Sequence, residues 1–173
     1  MPSDVPVATS EAIEARFREE PGALLERVAE EFGVTPLEAA HHLPPEHCTL
    51  VDGATLPDVL EELSRWGEVM FLVHLPAFIV EVKTSIPAVK AGRGYLNFQG
   101  GAPLGGHLRE DACEAIAFLD RPFMGRRSCA ALFFDEAGDC IFKVFVGREA
   151  DRSLKADQLE NFERLRKGLA RSL

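Results

Sequence analysis

The chain has 173 residues, 46% hydrophobic and 27% charged, with a formal net charge of −9 and a pI of about 5.1. That suits one globular domain with a buried core, residues 1–173 taken together, and so large an excess of negative charge argues against nucleic acid as a partner. No run approaches the roughly 20 apolar residues of a membrane span, and MPSDVPVATSEAIEARF lacks the basic-then-apolar order of a secretory leader, so a cytoplasmic location without a membrane partner is expected.

Residues 1–66 read as helical. Ala12–Arg18 forms a short helix after Thr9 and Ser10. Ala23–Phe32 sets Leu24, Leu25, Val28, Ala29 and Phe32 at amphipathic spacing, and Gly33 ends it. Thr35-Pro36-Leu37-Glu38 combines a cap, a proline at the first helical position and a capping-box glutamate. Pro44-Pro45 stops that helix, and Pro57 opens another that runs to about Trp66.

After Gly67 the pattern changes to strands: VMFLVHL (69–75), FIVEVKT (78–84), GYLNFQ (94–99), AIAFLD (115–120), CAALFFD (129–135) and CIFKVFVG (140–147). An Asp-Glu-Ala-Gly-Asp turn joins the last two as a hairpin. Leu159, Phe162, Leu165 and Leu169 mark a C-terminal amphipathic helix. The sum is an α+β chain: N-terminal helices, then a large, mostly antiparallel sheet over 67–173 with a closing helix.

Chemistry concentrates in residues 88–111, which hold six of the fourteen glycines, the only tyrosine and one of the five histidines. Gly92-Arg93-Gly94 is not continued as a phosphate loop. Tyr95 offers a hard phenolate donor of the kind that ligates ferric haem, and Arg93, two residues away on the same strand face, is placed to favour the phenolate. A half-buried sheet tyrosine with a bonded hydroxyl is the plainer reading. His107, among glycines, is the better imidazole ligand; His74 sits inside an apolar strand, and His41, His42 and His47 suit surface or capping roles.

Other chemistries find less support. Cys48, Cys113, Cys129 and Cys140 form no C-x-x-C pair and read as buried thiols. No G-x-S-x-G elbow surrounds Ser128. Residues 23–43 have helix-turn-helix spacing, which makes a regulatory module an alternative, but PLEAAHHLP brings no Lys or Arg to a groove.

The runs WGEVMFLVHLPAFIVEV, GRGYLNFQG, GGHLRED and FLDRPFMGRRSCAALFFDEAGDCIFKVFVGR together resemble the HutX/ChuX/ShuX group of intracellular haem-utilisation proteins, over about residues 20–165. The resemblance implies a fold like half of a HemS/ChuS chain, and a homodimer equivalent to a two-repeat chain. It implies a carrier that binds haem as cargo and passes it to a haem-degrading partner, with no catalysis of its own. The alternative is haem degradation, as in two-repeat relatives. Tyr95, His107 and His74 match residues implicated in iron ligation, the choice among them being open. Arg93, Lys90, Arg109, Arg126 and Arg127 are candidates for the haem propionates, because guanidinium pairs well with carboxylate.

Overall fold

The computed structural model describes residues 6–170; the first five residues of the leader reading lie outside them. Helix α1 (Val7–Glu19) starts five residues before the expected Ala12. Helix α2 (Leu25–Phe32) ends at Gly33 in the left-handed region, φ 66°. In α3 (Pro36–His41) the capping box is complete: Glu38 N–H donates to Thr35 Oγ1 at 3.1 Å and Thr35 N–H donates to Glu38 Oε2 at 2.7 Å. Helices α4 (Leu56–Leu63) and α5 (Ala156–Ala170) follow the apolar spacing.

All strands pair antiparallel, but in two sheets. The larger takes β1 (Cys48–Asp52), β2 (Glu68–Leu75), β3 (Phe78–Ser85), β7 (Ala115–Phe123), β8 (Arg126–Phe134) and β9 (Cys140–Phe145), in the order β1-β7-β8-β9-β2-β3. The smaller takes β4 (Val89–Gly92), β5 (Tyr95–Phe98) and β6 (His107–Arg109). Two expectations are thereby corrected. Residues 1–66 are not wholly helical, because Cys48–Asp52 pairs with β7 from Cys48↔Leu119 to Asp52↔Ala115. The 94–99 strand belongs to the small sheet, not the large one.

The large sheet is buried on both faces at its centre. Ile116, Phe118, Ala131, Phe133 and Phe142 face α4, α5 and the small sheet. The alternate residues Ala117, Leu119, Ala130, Leu132 and Phe134 face α1–α3 through Phe17, Val28 and Ala39. The helix-turn-helix-like segment is therefore packed on the sheet. The β8–β9 loop anchors α3: Gly138 has φ 84°, its carbonyl accepts from Leu37 N–H at 3.1 Å, and a Cβ there would meet Thr35 Oγ1 at 2.5 Å.

Several buried polar groups tie the layers, among them Gln158 and Lys143, neither of which was singled out in the sequence. Gln158 of α5 accepts from Gly147 N–H at 2.7 Å and donates to the carbonyls of Trp66 and Glu68, each at 2.8 Å. Lys143 of β9, 5% exposed, pairs with Glu26 of α2. Burial pushes the Glu26 carboxyl up, but the charge and hydrogen bond of Lys143 outweigh it, and the carboxyl sits below its ordinary range.

Because the folded value is the lower one, this pair stabilises fully above the ordinary carboxylate pKa, and the contribution is lost as pH falls through the folded value. Glu26→Gln leaves Lys143 buried without a counter-charge and should cost about 3–5 kcal/mol at neutral pH. Urea midpoints should show that gap closing in acid; an unchanged gap would contradict the pairing.

Candidate functional site

The small sheet is a hairpin plus one added strand. Gly92 pairs with Tyr95 across a two-residue loop, Arg93-Gly94, with φ of 58° and 79°. Two consecutive left-handed residues make the tight turn that matches strand twist, which is what Gly94 is for. Arg93 is therefore in the turn and, contrary to expectation, does not share a strand face with Tyr95. The residue beside Tyr95 is Arg109, its register partner on β6.

Alternation sorts the sheet's two sides. Leu96 is 3% exposed and packs into the core with Val89 and Leu108 alongside, so Tyr95, Asn97, His107, Arg109 and Lys90 share the outward side. Asn97 Nδ2 donates to the carbonyls of Lys90 and Tyr95, each at 3.1 Å, and so braces the hairpin. Tyr95 and His107 are diagonal neighbours, with ring centroids 5.0 Å apart and planes at 82°, and Tyr95 is 38% exposed.

The two rings form a ridge between two open hollows of about 480 Å³ each. On one side lie Lys90, Arg93, Asn97 and Gln99. On the other lie Arg109, Asp111, Asp135 and Glu136, the last two from the β8–β9 loop. The hollows differ in charge. Lys90 and Arg93 have no carboxylate within ion-pair distance among the described residues, whereas Arg109 Nε donates to Asp111 Oδ1 at 2.8 Å. Asp111 is held below its ordinary range by that bond. An anionic group is attracted to the first hollow and opposed in the second.

The remaining candidates lie elsewhere. His74 is on β2, on the opposite face of the large sheet from the one that receives Leu96, with Nδ1 3.6 Å from Glu26. It faces a third cavity of about 660 Å³, walled by Met70, Leu72, Ile79 and Phe145 where α1–α3 leave the sheet uncovered. Arg126 and Arg127 begin β8, at the far end from Tyr95, and Arg127 is engaged by Asp120 at 2.8 and 2.6 Å and by Glu163 at 3.2 Å. One chain thus brings together Tyr95, His107, Lys90 and Arg93, with Arg109 already paired, and sets apart His74, Arg126 and Arg127.

The cysteines offer no nucleophile: burial pushes Cys48, Cys129 and Cys140 up to about 12 and Cys113 to about 11. Asp135 and Glu136 are recognisable as acids in the sequence, but their place beside Tyr95 depends on the fold. Lys143 had a usable signal, as a lone charge inside the apolar run CIFKVFVG.

Residues 49–165 match the family model for haem utilisation ChuX/HutX. The chain is 35% identical over 148 residues to the intracellular heme transport protein HutX of Vibrio cholerae serotype O1, covering 85% of this chain and 77% of that one. It superposes on the crystal structure of ChuX with a TM-score of 0.86 at 33% identity, over 92% of this chain and 98% of that one. Holo-PhuS, a heme-binding protein from Pseudomonas aeruginosa, shares the fold at a TM-score of 0.69 and 18% identity, with 94% of this chain lying on 48% of that one. With its own α+β fold and two-thirds of its length matched, the chain belongs to the ChuX/HutX haem-utilisation family.

Proposed function

We propose that this protein is a haem carrier that holds its cargo on the Tyr95–His107 ridge and releases it intact. The observation that carries the reading is the ridge itself: the chain's only tyrosine, exposed, in edge contact with a histidine and beside a hollow with two cations that have no carboxylate partner among the described residues. Phenolate oxygen suits ferric iron. His107, 5.0 Å away on the same side, supports Tyr95 as a neighbour; the two cannot take opposite axial positions on one iron from where they stand. Lys90 and Arg93 receive the propionates, and the Asp135–Glu136 side turns them away. The names of HutX and of the heme-binding protein ChuX support the same role.

The open hollows beside Tyr95 support transport over catalysis: in a single chain they would leave bound haem accessible to water, and oxidative ring opening needs a site that excludes water from a bound intermediate. A loosely covered cargo also leaves readily, to a haem-degrading partner. The proposed setting is the cytoplasm, and the proposed active form is a single-domain protomer in a homodimer. The chain's match to just under half of PhuS supports pairing of two copies. So do Met70, Leu72 and Ile79, which line the third cavity alongside Glu81 and Lys83 and are not packed into the helix-side core.

Ferric haem added to the purified protein should give a shifted Soret band that saturates at one haem per chain. Tyr95→Phe should weaken binding by about tenfold or more, roughly 1.4 kcal/mol, and change the spectrum. His107→Ala should have a smaller effect, and Lys90→Glu should weaken binding more than Arg109→Ala. A Tyr95→Phe protein indistinguishable from wild type would refute the site. With reductant, oxygen and catalase the haem should stay intact; a single ring-opened isomer would establish the degradation reading instead.

Sedimentation equilibrium should give twice the 19.0 kDa chain mass, and Leu72→Asp should return it to one. A monomeric wild type would end the homodimer proposal.

A further inference from the structure

On the helix-covered face of the large sheet, the row Ala117 and Leu119 continues to Arg121, an arginine only 8% exposed. Its Nη1 donates to the carbonyls of Pro21 at 3.1 Å and Ala23 at 2.6 Å, in the link between α1 and α2. That link is pressed against β7: a Cβ on Gly22 would stand 2.8 Å from the Pro122 carbonyl oxygen. Two of the five guanidinium N–H groups are thereby used. Among the described residues, Nε and Nη2 donate to nothing, and no carboxylate lies within ion-pair distance of Arg121.

Carbonyl dipoles solvate a cation without neutralising it, and a buried charge without a counter-charge is strongly unfavourable. The neighbouring groups do not supply one. Burial pushes the Cys48 thiol up to about 12, so it stays neutral. Glu26 acts on Arg121 only from beyond ion-pair distance and is itself bound to Lys143. His74, 3.6 Å from Glu26, carries no negative charge in either protonation state. Arg121, Lys143 and Glu26 together leave one positive charge in excess beneath the helices.

That charge faces a small cavity of about 50 Å³ between the start of α2 and the sheet, lined by Leu25, Leu119, Arg121, Ser128, Leu132 and Lys143 among others, with no acidic residue in its wall. Ser128 is the register partner of Arg121 on β8 and is 9% exposed. Its Oγ makes no hydrogen bond among the described residues. Ser128 and Lys143 also border the larger cavity beside Met70, Leu72 and Ile79, but Arg121 and Leu25 line the small one alone. The volume holds a water or a few; it also admits an ion of chloride size and is far too small for haem.

We propose that this cavity binds one small monovalent inorganic anion, of the size of chloride, between the Arg121 guanidinium and Ser128 Oγ. The ion supplies the counter-charge that the layer between α2 and the sheet lacks. The site lies on the opposite face of the large sheet from the one that receives Leu96, so it is independent of the Tyr95 ridge and is testable on haem-free protein.

The probe is chloride, followed by the chlorine NMR line width of sodium chloride solutions with and without the full-length haem-free protein. The protein should broaden the line, and bromide should compete the broadening away. Ser128→Asp sets a carboxylate opposite Arg121 in register and keeps the carbonyl ties, so it should remove the broadening and leave the fold intact. Arg121→Gln should remove it as well, whereas Arg126→Gln, on the exposed hairpin, should not. Wild-type protein should melt higher when chloride replaces gluconate at constant ionic strength, and Ser128→Asp should not respond. Crystals soaked in sodium bromide should show an anomalous peak within hydrogen-bond reach of Arg121 and Ser128. Any of three results overturns the proposal: no broadening by wild type, equal broadening by wild type and Ser128→Asp, or no bromide at Arg121. A carboxylate of a second copy seated on Arg121 would give the first.

Discussion

The position of Leu96 is the constraint on which the functional surface depends. It is 3% exposed and inserted into the core shared by α4, α5 and the large sheet. A strand's side chains alternate, so burying Leu96 forces Tyr95 and Asn97 outward, and the register of β6 brings His107 and Arg109 beside them. A one-residue slip would bury the tyrosine and expose the leucine. The Arg93-Gly94 turn and the Asn97 side chain guard against that slip from the hairpin end.

Charge is then divided by topology. The β8–β9 loop brings Asp135 and Glu136 to one side of the Tyr95–His107 ridge, while the β4–β5 turn brings Arg93 to the other. Arg109 stands nearest the phenol in register but is tied to Asp111, so it is a cation already partnered.

Much of this was legible in the residues. Thr35, Pro36 and Glu38 announced a helix start by local chemistry, and Gly33 a helix end, because caps are decided within one turn of chain. The long strands were readable from their β-branched and aromatic runs. Strand β1 was not, since Cys48–Asp52 is five residues long and its pairing with β7 is a contact across some seventy positions. Strands β4 and β6 were hidden for the same reason, being three or four residues set among glycines. Within the site, Tyr95 and His107 were recognisable as types, and the family resemblance singled them out. That His74 lies across the sheet, and that Arg93 sits in a turn, depends on register and backbone handedness, which periodicity alone does not fix.

The central claim is that Tyr95 itself ligates the haem iron. Because Tyr95 is the chain's only tyrosine, protein grown with ring-deuterated tyrosine labels that one ring. Resonance Raman spectra of the ferric complex, excited in the phenolate-to-iron charge-transfer region, should show phenolate modes that move on deuteration. Spectra identical for labelled and unlabelled protein, with the pattern of an imidazole-ligated haem, would contradict the account.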